Sequence, residues 1–357
     1  MDGLALFLIV FLVTNVCCSG VLAALLLRWT EDPALRGGTA LLLALGLGPI
    51  LVSLLLYYML WLLPGLPPLA GVAITLLPFV VAGLFVKAGW KQLPDLIVKT
   101  TRAMITWGDR GRIPSSAGLV AFSLFLVAAA LFTWNSKPLI DHDVLEYALK
   151  GRLFARDMAV QYERFPFDAA SGFYYVGLHG FGFPLLGSWE TIWGNIVGLQ
   201  GDLWFRSITA WYCWLLIILI WRTLRAVDER AAWVGLLTLP PTFGFIFLFT
   251  TYHLDALRAF LFTSSVLLQL RWMVRPSRSV LLLFAMFAGL HAFTHSLGAI
   301  IGCAQLAILL ITAPGGFVRR VRNALIAVAV FLAAGGIHYV VDVISGTGWI
   351  FKDIDFY

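Results

Sequence analysis

Two aspartates that flank a histidine open the most polar stretch of this sequence: Asp141, His142 and Asp143. Spacings of three and four residues would place several following polar residues on the Asp143 face of a helix: Glu146, Tyr147 and Lys150. A carboxylate in a partly dry pocket can have its pKa raised enough to act as a general base. Asp143 is therefore the first catalytic candidate, and Asp141 is the second. An amphipathic helix on a membrane surface would show the same periodicity, so that alternative stays open.

Basic and polar residues around this cluster, and at three later predicted helix ends, could bind a substrate. An arginine can hold a phosphate through two hydrogen bonds, and a histidine can donate a hydrogen bond to a phosphate or a sugar. The candidate substrate-binding residues are His142, Glu146, Tyr147, Arg152, Arg156, His179, His253, Asp255, Arg258, His291 and His295. A turn with a local ion pair would explain Asp255 and Arg258 equally well.

Two residue pairs have a spacing that is compatible with a metal ion. His291 and His295 are one helical turn apart, but no third ligand is adjacent in sequence, so hydrogen bonding to phosphate or sugar is preferred. Asp141 and Asp143 could hold a divalent cation. A carboxylate that acts as a general base does not require one. The sequence thus predicts no required cofactor and leaves a metal site open. His338 and Asp342 form a further pair one turn apart, which could close the cavity that holds the substrate.

The elements that must position these residues are membrane helices. The chain of 357 residues is 61% hydrophobic and 12% charged, with a mean hydropathy of +0.90, whereas soluble domains are about 25% charged. We therefore predict an all-α polytopic membrane protein with about ten transmembrane helices, since a bilayer core needs about 20 apolar residues per helix. The predicted spans are 4–27, 39–63, 67–87, 116–134, 203–221, 231–250, 256–272, 279–292, 296–313 and 323–343.

The predicted organisation has three parts. Residues 1–134 form N-terminal spans with an amphipathic helix at 91–112 on the inner leaflet, residues 135–202 form a long outer loop, and residues 203–357 form C-terminal spans. Loops of this length in compact bundles usually carry function. The net charge of +6 is distributed over short loops between apolar runs. The positions of these charges therefore indicate the membrane topology of the chain. They are not the pattern of a nucleic-acid-binding surface, so nucleic acid is not a predicted partner.

The distribution of charge predicts which side the long loop faces. Most of the 25 lysines and arginines fall in loops on one side of the predicted topology, which makes that side cytoplasmic. The long loop then faces the periplasm or the outside of the cytoplasmic membrane. All six histidines also fall at or near outer span ends. Ionisable groups at membrane depth are costly and usually mark a site, so the outer face is where we expect chemistry.

Asp143, Tyr147 and Arg152, spaced D-x₃-Y-x₄-R, resemble the start of the first outer loop in GT-C superfamily membrane glycosyltransferases. The relevant members are of the protein mannosyltransferase and lipid A aminoarabinose transferase type. The family places its loop aspartate at the active site, and its loop later reaches a re-entrant segment, to which residues 179–186 would correspond. Val144 departs from the family pattern, which has a second acidic residue there.

The resemblance implies sugar transfer from a polyprenyl-phosphate donor to a hydroxyl of a glycan, lipid or protein in the cell envelope. The chemistry would be inverting, with Asp143 taking the acceptor proton and with Arg152, Arg156 or Arg258 stabilising the departing phosphate. Membrane lipid would surround the apolar helices. A transporter or flippase of a lipid-linked or anionic substrate is the alternative, although transporters usually show repeats and midplane sites. A structural subunit of an envelope-assembly complex is a third possibility.

Overall fold

The structure is a computed structural model that describes residues 2–105, 142–160, 180–238, 254–312 and 314–344. Within these ranges the regular elements are helices and there is no β-strand. Helices dominate because every backbone N–H and C=O inside a bilayer must be satisfied within its own segment, and a helix does this. The prediction of an all-α membrane protein is therefore confirmed, while the number of spans and the GT-C-like arrangement stay predictions.

Thirteen helices make up the described part of the chain. They are α1 (Asp2–Trp29), α2 (Gly38–Leu62), α3 (Pro68–Phe85), α4 (Lys87–Ile105), α5 (His142–Asp157), α6 (Gly182–Val197), α7 (Leu203–Val227), α8 (Glu229–Thr238), α9 (Asp255–Val274), α10 (Arg278–Thr294), α11 (Ser296–Thr312), α12 (Phe317–Phe331) and α13 (Ile337–Ile344). Helix α1 contains a π-helical segment, Leu12–Cys18, and a second one, Leu332–Gly336, joins α12 to α13.

Five helical segments in the described ranges are long and apolar enough to cross a membrane: α1, α2, α3, α7 and the run Phe317–Val341. They coincide with predicted spans. Helices α10 and α11 are apolar but shorter, and α9 carries charges at both ends. The predicted span 116–134 lies outside the described residues, as does most of 231–250, of which α8 is the beginning. Helix α3 exposes several large apolar side chains, which the hydrocarbon of a bilayer would cover: Leu69, Leu77, Val80, Leu84 and Phe85.

The chain forms two compact units, and each draws on separate stretches of sequence. The first unit comprises Met1–Pro49, Leu77–Leu145 and Leu199–Phe260, and the second comprises Ile50–Leu76, Glu146–Gly198 and Leu261–Tyr357. The three-part division into 1–134, 135–202 and 203–357 stays a prediction. So does the inner-leaflet position of the amphipathic helix, of which α4 describes the part up to residue 105.

The first unit is held together by polar contacts between apolar helices. The Trp204 indole donates to Asn15 Oδ1 at 2.8 Å, which joins α7 to the π-helical segment of α1. The Tyr212 hydroxyl donates to the Gly46 carbonyl at 2.7 Å, joining α7 to α2. Each contact satisfies a polar group that would be costly to bury alone.

In the second unit, α10 is the most buried helix, and α11, α12 and the π-helical segment pack around it. The Tyr339 hydroxyl donates to the Ala292 carbonyl at 2.8 Å, and the Gln269 amide donates to the Gln305 carbonyl at 2.9 Å. Gly335 has a φ of 129°, a conformation that favours glycine, and it bends the chain between α12 and α13.

Candidate functional site

The helix that was predicted to carry the acidic cluster is present as α5. Its backbone places residues 143 and 147 one turn apart, as the spacing required. Asp141 lies outside the described residues, and so do the side chains of His142, Asp143 and Glu146. The described side chains of this helix begin at Tyr147.

One face of α5 is buried inside the second unit, and it contains a charged residue. Tyr147 and Lys150 are 0% and 1% exposed, and Phe154 continues the same face. Arg152 and Arg156 lie on exposed positions of the same helix. A helix lying flat on a membrane surface would turn a lysine to water, so the burial of Lys150 favours a helix that packs into the protein.

Helix α6 covers that face at very short range. A Cβ atom placed on Gly151 would lie 2.7 Å from the Pro184 carbonyl oxygen and 3.0 Å from the Ser188 nitrogen. Only glycine allows two backbones to approach this closely. The rings of Tyr147 and Phe183 then meet edge to face with centroids 5.3 Å apart.

Helix α6 also buries a carboxylate. Glu190 on α6 is 1% exposed, and neither Glu190 nor Lys150 is without an interaction partner. Burying charged groups costs several kcal/mol each unless the surroundings compensate them. The sequence interpretation did not include Glu190 in the site. Its signal was a lone acidic residue within the apolar run 182–197, a pattern that marks functional positions in membrane segments.

Residues 180 and 181, which precede α6, pack against other helices of the second unit; the re-entrant role of residues 179–186 stays a prediction. The Gly180 nitrogen donates to the Thr294 carbonyl at 3.1 Å, and Ser53 donates to the Gly182 carbonyl at 2.6 Å. The ring centroid of Phe181 lies 5.5 Å from the ring centroids of both Tyr57 and His338. Residues 182–190 are all buried. His179 lies outside the described residues.

The C-terminal end of α5 is also fixed within the second unit. Gly65 donates its N–H to the Met158 carbonyl at 2.8 Å, and Val160 donates to the Leu60 carbonyl at 3.4 Å. Met158 has a positive φ of 45°, which lets the chain turn away from the helix. Helix α5 therefore packs on α6 and the residue before it between Tyr147 and Phe154, and on the end of α2 at its C-terminus.

The predicted helical pairing of His291 and His295 is wrong. Helix α10 ends at Thr294, and His295 is extended, with φ −162° and ψ 146°. Its Nδ1 atom accepts a hydrogen bond from the N–H of Leu297 at 3.0 Å, so the ring caps a free N–H group in the first turn of α11. His291 is buried beside Phe262. In the described part of the chain, no three potential metal ligands come together.

The arginines predicted to bind phosphate differ in their surroundings. Arg156 makes a bidentate ion pair with Asp157 at 2.8 and 3.1 Å, and this hydrogen-bonded carboxylate raises the pKa of Arg156. Arg258 pairs with Asp255 at 2.8 Å in the first turn of α9, the local ion pair that was the alternative explanation. Such a pair contributes only about 0.3–0.5 kcal/mol. His253, the third predicted member, lies outside the described residues.

Searches of family models, curated proteins and solved structures return no match for this chain. The resemblance to GT-C glycosyltransferases thus depends on the sequence motif.

Proposed function

We propose that this chain is an integral membrane glycosyltransferase of GT-C type. It would move a sugar from a polyprenyl-phosphate donor to an acceptor hydroxyl on the outer face of the cytoplasmic membrane. The observation that supports this most is the packing of α5 on α6, together with the burial of Tyr147 and Lys150 on α5 and of Glu190 on α6. The described side chains of α5, the helix that carries the D-x₃-Y-x₄-R motif, therefore pack into the protein interior on one face.

In the proposed reaction, Asp143 takes the proton of the acceptor hydroxyl as its oxygen attacks the anomeric carbon of the donor. The bond between that carbon and the phosphate oxygen breaks, and polyprenyl phosphate leaves with the bonding electrons. Attack opposite to the leaving group inverts the anomeric configuration. A general base contributes about 10²–10⁴-fold to a reaction of this kind.

Arginine would stabilise the negative charge that develops on the leaving phosphate. Arg152 suits this role better than Arg156, because Asp157 already occupies the Arg156 guanidinium. Buried groups of the α5–α6 packing would hold the helix rigid, so that Asp143 keeps its position one turn before Tyr147. Neither role requires a metal ion.

The experiment that tests this function is the release of free polyprenyl phosphate by the purified protein. The protein is reconstituted with a panel of polyprenyl-phosphate sugars and candidate acceptors, and the lipid products are separated by chromatography. A glycosyltransferase breaks the sugar–phosphate bond and releases the lipid phosphate. A transporter or flippase moves the intact lipid across the bilayer, so translocation without any release would exclude the proposed activity.

A further inference from the structure

A basic cleft lies in the first unit, remote in sequence from the motif helix. It has a volume of about 600 Å³ and is formed by the end of α1, the turn before α2 and one face of α4. Its lining residues are Leu27, Arg28, Arg36, Gly37, Gln92, Asp95, Leu96 and Lys99. Three cations and one carboxylate face the same space, so the cleft attracts anions.

The two arginines of the cleft are each anchored by one backbone carbonyl. Arg28 donates to the Phe85 carbonyl, and Arg36 Nε donates to the Thr30 carbonyl at 3.1 Å. A guanidinium has five N–H donors, so the remaining donors of both side chains can serve a ligand. Arginines fixed in this way lose less conformational entropy when they bind a phosphate.

The floor of the cleft is a rigid apolar contact between helices. Leu93 of α4 packs with Ala23 of α1 and Ala44 of α2, and Leu27 and Leu96 surround this cluster. Gly89 lies directly against the Ala24 carbonyl, so α4 meets α1 backbone to backbone. The distances between the charged groups are thus set by packed helices.

The cleft lies at the ends of apolar helices, where a bilayer would have its headgroup region. Helices α1, α2 and α3 are each long and apolar enough to cross a membrane. The contact of Arg28 with the Phe85 carbonyl brings the ends of α1 and α3 together, and the cleft lining adds the turn before α2. Two large apolar residues next to Arg28 are exposed: Trp29, which follows it in sequence, at 65%, and Phe85, whose carbonyl it contacts, at 71%. Exposed tryptophan near lysine and arginine is typical of the membrane–water interface.

We propose that this cleft is a binding site for the phosphate headgroup of an anionic membrane phospholipid. Arg28, Arg36 and Lys99 bind the phosphate, and the acyl chains lie along the exposed apolar side chains at the rim. The excess of positive charge over the single carboxylate, Asp95, selects an anionic headgroup over a zwitterionic one. The proposal is independent of the glycosyl transfer proposed above, since it involves no residue of α5 or α6.

The test is a lipid titration of the full-length protein in detergent, with binding measured by native mass spectrometry. The probes are phosphatidylglycerol, phosphatidylcholine and soluble glycerol phosphate. Lys99→Gln removes an exposed cation and should weaken phosphatidylglycerol binding about fivefold. Asp95→Asn removes the opposing charge and should strengthen it. Arg275→Gln, an exposed arginine after α9, is the matched control and should leave binding unchanged.

Opposite effects of Lys99→Gln and Asp95→Asn are the expected result, because a merely structural disturbance would change binding in one direction. The proposal is overturned if both variants and Arg275→Gln bind phosphatidylglycerol like the wild type. It is also overturned if phosphatidylcholine binds as tightly as phosphatidylglycerol. If glycerol phosphate binds as tightly as the lipid, the cleft is a site for soluble phosphate compounds, and the assignment to a membrane lipid is wrong.

Discussion

The ring of Tyr147 meets the ring of Phe183 edge to face, with centroids 5.3 Å apart, where α5 packs on α6. This contact joins the two parts of the sequence that resembled a glycosyltransferase loop, the helix with the D-x₃-Y-x₄-R motif and the segment within residues 179–186. Tyr147 and Phe183 are 36 positions apart along the chain, yet they meet in one packed interface. The predictions below begin with that interface.

Gly151→Ala should destabilise the protein although alanine is the better helix former. Alanine in a helix interior normally gains about 1 kcal/mol over glycine. Here the new methyl group would lie 2.7 Å from a backbone oxygen of α6, and overpacking of this kind costs about 1–3 kcal/mol. Thermal unfolding in detergent measures the effect. Gly316→Ala is the control, because no atom lies within 4 Å of its added Cβ, and equal melting temperatures for the two variants would contradict the packing.

The buried lysine gives a second test of the same interface. Lys150→Met keeps the length of the side chain but removes the ammonium, so the groups that interact with it lose a buried partner. Leaving a buried polar group without its partner costs about 1–3 kcal/mol, and more for a charged group. Lys91→Met on α4, an exposed position, should leave the free energy of unfolding unchanged. A Lys150→Met variant as stable as the wild type would show that the ammonium is not held by the protein.

The sequence predicted the helices well because apolar run length and helical spacing are local properties. Helix α5 was predicted from the spacing of its polar residues, and α1, α2, α3 and α7 from runs long enough to cross a bilayer. The bounds of α10 and α11 were also close to those predicted.

Side-chain burial and helix ends were harder to predict, since they depend on tertiary contacts. The amphipathic pattern of α5 does not show that Lys150 is buried, and the sequence does not show that Glu190 is buried on α6. His291 and His295 were predicted to lie on one helical face, but α10 ends at Thr294 and the His295 ring accepts the N–H of Leu297 in the next helix. No local pattern distinguishes these outcomes.

The arginines should differ in their effect on the use of the donor. Arg152→Ala removes an exposed guanidinium, and losing a charge-assisted contact with phosphate costs about 1.5–3 kcal/mol, or at least tenfold in kcat/KM. Arg156→Ala should cost less, because Asp157 already binds that guanidinium. Initial rates at varied donor concentration provide the comparison. A larger loss for Arg156→Ala would reverse the assignment of these two residues.

Cysteine labelling tests the predicted side of the motif loop. In a background lacking the exposed Cys17 and Cys303, Ser171→Cys should react with a membrane-impermeant maleimide in intact cells. Thr101→Cys, on the basic side, should react only after the membrane is opened, since lysine and arginine mark the cytoplasmic face. Labelling of Thr101→Cys alone in intact cells would place the proposed site in the cytoplasm.

The most direct test of the proposed function is the activity of Asp143→Asn. Asparagine keeps the volume of aspartate but cannot accept the acceptor proton. The variant should therefore bind the polyprenyl-phosphate donor like the wild type and lose sugar transfer by about 10²–10⁴-fold. Asp141→Asn should lose less, and Asp228→Asn, an exposed residue between α7 and α8, should lose nothing. Sugar transfer by Asp143→Asn at the wild-type rate, measured as released polyprenyl phosphate, would contradict the assignment of Asp143 as the base.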